Sequence, residues 1–246
     1  MAKNSKDGTI RIGTWNTWWR EPNSAEGQII SNELAKTKCD ILCVTEGFAG
    51  ILPSVGHVID AGPNWGYPID PGKRKVLLWS KRPWTPHTHA LGSKAFPEGR
   101  FVAGSTETSS GACVTVVGVC IPWDGAHVKS GYKDRELWDD HLAWLAGFQK
   151  LRCRFFKSRS VILGDFNQRI PNKRVPNRVH GALLRAFDGF KFATKGKLTA
   201  DGLTAIDHIA HTKDLALRPN SSIQIWPKDA NGLKLSDHFG VWGNFS

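Results

Sequence analysis

The sequence predicts an α/β domain built on two sheets. Three observations predict it. Apolar runs of strand length outnumber segments with helical periodicity. The helical segments are interleaved with those runs, the pattern of a layered α/β or α+β domain. Five of the runs end in Asn, Asp, Glu or His, a composition that a core alone does not require and that a site assembled from strand tips does.

The elements follow in chain order. Met1–Gly8 is polar and has no apolar signal region, so residues 1–9 are expected to be a disordered lead-in to one domain over residues 10–246. Ile10–Asn16 alternates apolar and polar residues and reads as a strand. Ser24–Lys38 reads as a helix, with Ile30 and Leu34 four apart and Ser24 as its N-cap. It leads into a buried strand, Ile41–Glu46, that ends in a carboxylate. Val76–Ser80 is a short strand stopped by Lys81-Arg82-Pro83. Phe101–Thr106 and Ala112–Ile121 read as a strand pair around Ser109-Ser110-Gly111, the second rich in Val. Asp134–Leu151 is the longest predicted helix, capped by Asp134, with Leu137, His141, Leu145 and Phe148 along one stripe. Ser160–Leu163 is a core strand running into Gly164-Asp165-Phe166-Asn167, and Val179–Phe187 is a shorter helix.

Composition narrows the function. No stretch approaches a membrane span, so no membrane partner is expected. The five cysteines (39, 43, 113, 120 and 153) include no C-x-x-C pair and read as reduced core thiols of a cytoplasmic protein. Lys and Arg total 33 against 22 acidic residues, for a net charge of +11. Between Lys150 and Lys197 there are thirteen basic residues and two acidic ones, Asp165 and Asp188. Such a stripe favours a polyanionic partner, nucleic acid over a small phosphate ester. No heptad or dimer stripe is present, so a monomer is expected.

Asp165 and Asn167 stand two apart and share a face if the backbone is extended. An Asx turn is the competing local reading of Gly-Asp-Phe-Asn. A carboxylate beside an amide at a strand tip can hold a phosphate and the water that attacks it. The other tips are Asn16, Glu46, Asp207-His208 within Thr204–Ile209, and Asp237-His238 within Leu235–Val241. Together they suit metal-dependent phosphoryl transfer, in which a cation neutralises the phosphate and a base activates water.

In this order, the five segments resemble the endonuclease/exonuclease/phosphatase superfamily, from about Ile10 to Val241. The resemblance implies a four-layer α/β sandwich, two mostly antiparallel sheets flanked by helices, with the site at one end. It implies Mg²⁺ or Mn²⁺ as cofactor, with Glu46 as the first metal ligand and Asp237 contributing to a second metal position. His238 would contact the scissile phosphate or transfer a proton, oriented by Asp207. Asp165 would orient or deprotonate the water, the base role being open between Asp165 and His238. Asn167 would donate to a phosphate oxygen, and Asn16 would hold Asp165 or a metal-bound water.

Two positions depart from the family pattern. Thr45 stands where Gln is frequent, and Cys120 where exonuclease III-like members carry Tyr two residues before Pro. A thiol cannot supply a phenol's reach or donor strength, so Arg100, Lys133 and Arg135 become candidates for holding phosphate. Arg169, Lys173 and Arg174 are candidates for tracking a nucleic-acid backbone. Of eleven Trp, Trp18, Trp19 and Trp123 follow motif strands and are candidates for stacking on bases. The expected activity is hydrolysis of DNA, first as a 3′→5′ exonuclease and second as an abasic-site endonuclease. A small-ester phosphatase of the same fold and a non-catalytic nucleic-acid-binding protein are the alternatives.

Overall fold

The computed structural model describes residues 8–87, 96–131, 134–151, 158–172, 174–199 and 202–246. The first part of the chain forms β1 (Ile10–Asn16), α1 (Ala25–Thr37), β2 (Ile41–Phe48), β3 (His57–Asp60), β4 (Lys73–Ser80) and β5 (Thr85–Pro86). The middle forms β6 (Phe101–Glu107), β7 (Cys113–Cys120), α2 (Asp139–Leu151), β8 (Ser160–Asp165), α3 (Asn177–Ala186), β9 (Lys191–Phe192) and β10 (Asp207–His211). The C-terminal part adds β11 (Gln224–Trp226), the hairpin β12 (Asp229–Ala230) and β13 (Leu233–Lys234), and β14 (Gly240–Phe245).

These strands make two six-stranded sheets, β11-β14-β1-β2-β4-β3 and β5-β6-β7-β8-β10-β9. Each sheet holds one parallel pair, β1–β2 and β7–β8, and its other pairings are antiparallel. A parallel pair needs a crossover, and each has a helix in it, α1 in the first sheet and α2 in the second.

Alternation along the strands sorts the core into three slabs. Ile41 and Cys43 of β2, Val114 and Val116 of β7, and Val161 and Leu163 of β8 belong to the slab between the sheets. Leu42 and Val44 face the other way, joining Ile30 and Leu34 of α1. Val117, Val119 and Ile162 join Trp144, Leu145 and Phe148 of α2 and Leu183 of α3. Three slabs separate four layers, so the α/β sandwich expected from the sequence is the fold observed.

α1 is capped as expected: the Ser24 hydroxyl accepts from the Gly27 N–H, and Lys38 closes the other end in left-handed conformation. Four boundaries differ most from expectation. α2 begins at Asp139, not Asp134. Arg135 takes up Asp134 and Asp140 in ion pairs, the Trp138 N–H donates to Asp124 O, and Leu137 is 47% exposed instead of lying in the stripe. β2 runs past Glu46 to Phe48, and β4 starts three residues early at Lys73, because the two strands continue to pair there (Gly47 with Arg74, Phe48 with Lys73). α3 starts at Asn177, two residues before Val179.

Candidate active site

The rows that fill the slab between the sheets end in polar residues. Ile10 and Ile12 precede Asn16 along β1, Val161 and Leu163 precede Asp165 along β8, and Ile209 follows Asp207 on β10. Residues two apart share a face of a strand, so all three polar side chains enter the inter-sheet space at one end of the sandwich. Asp165 and Asp207 are direct cross-strand partners, and both are buried.

Asp165 is the centre of the network. Its Oδ2 accepts from Asn16 Nδ2 at 3.1 Å and from Asn167 Nδ2 at 2.9 Å, and its Oδ1 accepts from the Asn167 backbone N–H at 2.8 Å. The last bond is an Asx turn, and Asn167 has φ +52°, a conformation Asn tolerates. The two side chains therefore meet through this turn, and not by sharing a face of an extended strand as expected. Asn167 Nδ2 also donates to Ile121 O at 2.8 Å. Both of its amide protons are thus engaged, and donation to a phosphate oxygen would require one to be released. Asn16 Oδ1 accepts from the Trp18 N–H at 2.9 Å, which fixes the amide with its NH₂ toward Asp165.

The second pair is Asp207 and His238, joined Oδ1 to Nδ1 at 2.9 Å. Asp207 Oδ2 accepts from the Asn16 backbone N–H at 2.9 Å, so one carboxylate ties β10 to β1 across the sheets. Ser236 completes the link: its hydroxyl donates to Asn16 O and accepts from the His238 N–H. Asp237 stands at the surface, its carboxylate 3.8 Å from His238 Nε2. His208, next to Asp207, points to the opposite side and bonds Thr194 and the Gln168 carbonyl.

Charge settles unevenly in this network. Burial raises the Asp165 carboxyl to about 7; His238 pulls it down, while Asp207 and Glu46 push it further up. Burial opposes charge on His238 as well, but Asp207, Asp165 and Asp237 outweigh it and raise the imidazole to about 10. Near neutrality one group is poised to take a proton and its neighbour holds one.

Glu46 has φ +49° and lies on the rim with its carboxylate on Lys75 Nζ, 2.5 Å away. Its backbone oxygen accepts from Thr17 Oγ1 and from the Trp19 N–H, which binds this part of β2 to the loop after Asn16. Arg100 is 2% exposed, donating to Trp65 O and Cys120 O, and it lines an open cleft together with Lys75, Trp19 and Trp123. Trp18 is exposed between Arg20 and Lys234, whose charged groups lie 4.7 and 4.8 Å from its ring centroid. Cys120 is buried, and burial pushes its thiol up, which leaves no reactive thiolate.

The remaining candidates stand apart from this network. Arg135 is committed to Asp134 and Asp140. Arg169 and Arg174 are exposed on the loop after Asn167. Lys133 and Lys173 lie outside the described residues. Sequence reasoning missed Lys75, Trp65 and Tyr67, and gave Ser236 no role. Lys75 became visible only through the three extra residues of β4, and no local pattern carries that signal.

A two-sheet sandwich with carboxylates, amides and an Asp–His pair at one end defines a class, the metal-dependent phosphoester hydrolases. The comparisons agree. The profile of the Endonuclease/Exonuclease/phosphatase family matches residues 13–238, and the chain belongs to that family. It is an enzyme of the family's metal-dependent phosphodiester-hydrolase class. Among solved structures it resembles an AP endonuclease from Archaeoglobus fulgidus (TM-score 0.66, 20% identity, 95% of this chain and 98% of that one). It also resembles the endonuclease domain of TRAS1, a telomere-specific non-LTR retrotransposon (0.61, 16%, 96% and 97%), and truncated TDP2 of Caenorhabditis elegans (0.62, 15%, 96% and 97%). No curated protein matches the chain by sequence.

The residues present fit a hard divalent cation. Asp165, Asp207 and His238 bring ligand-type atoms within 4.8 Å of one another, but all three are held by internal hydrogen bonds. Glu46 and Asp237 supply the accessible carboxylate oxygens, while the Asn16 amide oxygen is buried and accepts from the Trp18 N–H. The buried Thr45 hydroxyl, register partner of Asn16, has no hydrogen-bond partner among the described residues.

Proposed function

We propose that this enzyme hydrolyses phosphodiesters in DNA with Mg²⁺ or Mn²⁺, acting first as a 3′→5′ exonuclease and second as an endonuclease at abasic sites. The observation that carries the reading is the Asn16–Asp165–Asn167 network set against Asp207–His238, with Glu46 on the rim. The basic excess and the exposed Trp18 between two cations support a nucleic-acid substrate.

A bound cation would be held by Glu46, with Asp237 and Asn16 as further oxygen donors, and would neutralise phosphate charge and lower the pKa of water. The protein's own residues do the rest. Asp165, immobilised by three donated hydrogen bonds and raised to about 7, takes the proton from the attacking water. His238, kept charged by Asp207, presents its Nε2 proton to a phosphate oxygen and offsets the charge that develops there. Asn16 and Asn167 hold the base without adding negative charge that would repel the substrate.

The test is a 5′-labelled DNA duplex incubated with Mg²⁺, with Mn²⁺ and with EDTA, beside a duplex containing one abasic site. The reading expects a ladder shortening from the 3′ end that EDTA abolishes, and incision at the abasic site. Intact DNA in every lane overturns it and moves the substrate to a small phosphate ester.

A further inference from the structure

Beside Glu46 lies an open cleft of about 330 Å³ that the proposed chemistry does not use. Sites for small ligands run from about 300 to 1,000 Å³, so this one has room for a single planar group and its substituent. Its walls are aromatic: Trp19, Trp65, Tyr67 and Trp123, drawn from three separate loops. Trp19 and Trp65 rest against each other, 5.6 Å between ring centroids and tilted by 33°, so a planar ligand would stack on the open side of the pair and not between the two rings. Tyr67 is braced from behind, its ring stacked on His127 at 4.4 Å and its hydroxyl accepting from the His127 N–H at 2.8 Å.

The cleft is also cationic. Lys73 and Lys75 reach over Trp19, with Nζ 5.6 and 5.1 Å from its ring centroid. Arg100 is buried but lines the space, its guanidinium 6.0 Å from the Tyr67 ring and anchored by the carbonyls of Trp65 and Cys120. Asp70 offsets Lys73 by an ion pair. Glu46 likewise pairs with Lys75, so among the described residues Arg100 is the cation of the cleft without an acid partner, and the four rings around it suit a ligand that is flat and apolar on its faces and anionic at one end. Buried Arg is costly unless it meets an anion or a full set of acceptors, and among the described residues two carbonyls accept from it.

We propose that the cleft is a subsite for one unpaired nucleotide next to the scissile phosphate, its base stacked on the Trp19–Trp65–Trp123 walls and its phosphate held by Lys73, Lys75 and Arg100. A paired base is stacked on both faces within its helix and cannot enter. The enzyme therefore acts where a nucleotide is already unpaired or is readily unstacked: frayed ends, single strands, mismatches. This inference rests on the nucleic-acid reading above and specifies its substrate.

Calorimetry in EDTA separates the two. Wild-type protein is titrated with 2′-deoxyadenosine 5′-monophosphate, with deoxyribose 5-phosphate and with 2′-deoxyadenosine; Trp123→Leu and Lys73→Ala are titrated with the nucleotide. The subsite predicts that the nucleotide binds about tenfold tighter than deoxyribose 5-phosphate, the worth of one stacked base, and tighter than 2′-deoxyadenosine through its phosphate contacts; Trp123→Leu should lose most of the first gain and Lys73→Ala most of the second. Equal affinity for nucleotide and deoxyribose 5-phosphate, or wild-type affinity in both variants, overturns it. Because no hydrolysis is involved, nucleotide binding in a protein that leaves DNA intact would preserve the subsite and remove the nuclease reading. Cleavage of DNA without a stacking gain would do the reverse.

Discussion

Two carboxylate–cation pairs flank the active end, and they are built for different purposes. Asp207 and His238 are buried, with side chains 0% and 9% exposed, and the carboxylate also accepts from the backbone of β1. Glu46 and Lys75 sit on the rim, 20% and 11% exposed, between neighbouring strands of one sheet. The first pair bridges the two sheets and keeps a charge inside. On the function proposed above, a cation from solution would replace Lys75 at the second carboxylate, so the first, permanent pair would orient chemistry and the second, exchangeable one would admit a cofactor.

The largest effect should come from breaking the permanent pair. Asp207→Ala leaves a buried imidazole without its anion, and loss of one partner of a buried pair costs about 3–5 kcal/mol. Chemical denaturation should show that loss, together with an activity fall of about 10²–10⁴ from the misoriented proton donor. Glu46→Ala should cost less than Asp207→Ala in the same denaturation experiment, because this pair keeps more contact with water than the fully buried one. Comparable losses in the two variants would erase the distinction.

Glu46→Gln should instead raise the metal concentration needed for half-maximal rate, by about tenfold or more as a ligand charge is lost. Lys75→Met should move that concentration the other way by a smaller factor, since the cation no longer competes with Lys75 for the Glu46 carboxylate. A metal titration of initial rates reads both.

The pH response sharpens the same contrast. In EDTA, the His238 ring should titrate near 10 by NMR and fall back toward the ordinary imidazole range in Asp207→Asn. A raised imidazole stabilises the fold fully below its ordinary value of 6.5, and that contribution is lost as pH rises toward about 10. Asp165 has the same sign at lower pH: the buried acid favours the fold, and the benefit drains between 3.8 and about 7. The melting temperature of the metal-free protein should therefore decline from mildly acidic to alkaline pH, with a shallower slope above neutrality in Asp207→Asn.

The permanent pair was legible in the sequence, and the exchangeable one was not. Asn16, Asp165 and Asp207 lie in strands whose side chains alternate, so each apolar row pointed to the polar residue at its end. His238 followed from its motif. Lys75 depended on where β4 pairs with β2, a non-local register that no residue in Lys73-Arg74-Lys75 announces. The cleft is harder still, because Trp19, Trp65 and Trp123 meet from loops distant in sequence. The start of α2 was misplaced for a local reason. Asp134 and Asp140 were spent on Arg135, and the Trp138 N–H was spent on Asp124 O. The Asx turn and the catalytic reading of Asp165–Asn167 looked like rivals in the sequence. The left-handed Asn167 makes them one device.

The most direct test of the account is single-turnover cleavage of labelled DNA by Asp165→Asn, measured beside its DNA affinity in EDTA. The amide keeps the shape of the side chain and cannot take a proton. If Asp165 is the base, the variant keeps wild-type affinity and its cleavage rate falls by about 10²–10⁴, the worth of a general base. Cleavage within a few-fold of wild type would contradict it and move the chemistry away from the network around Asp165.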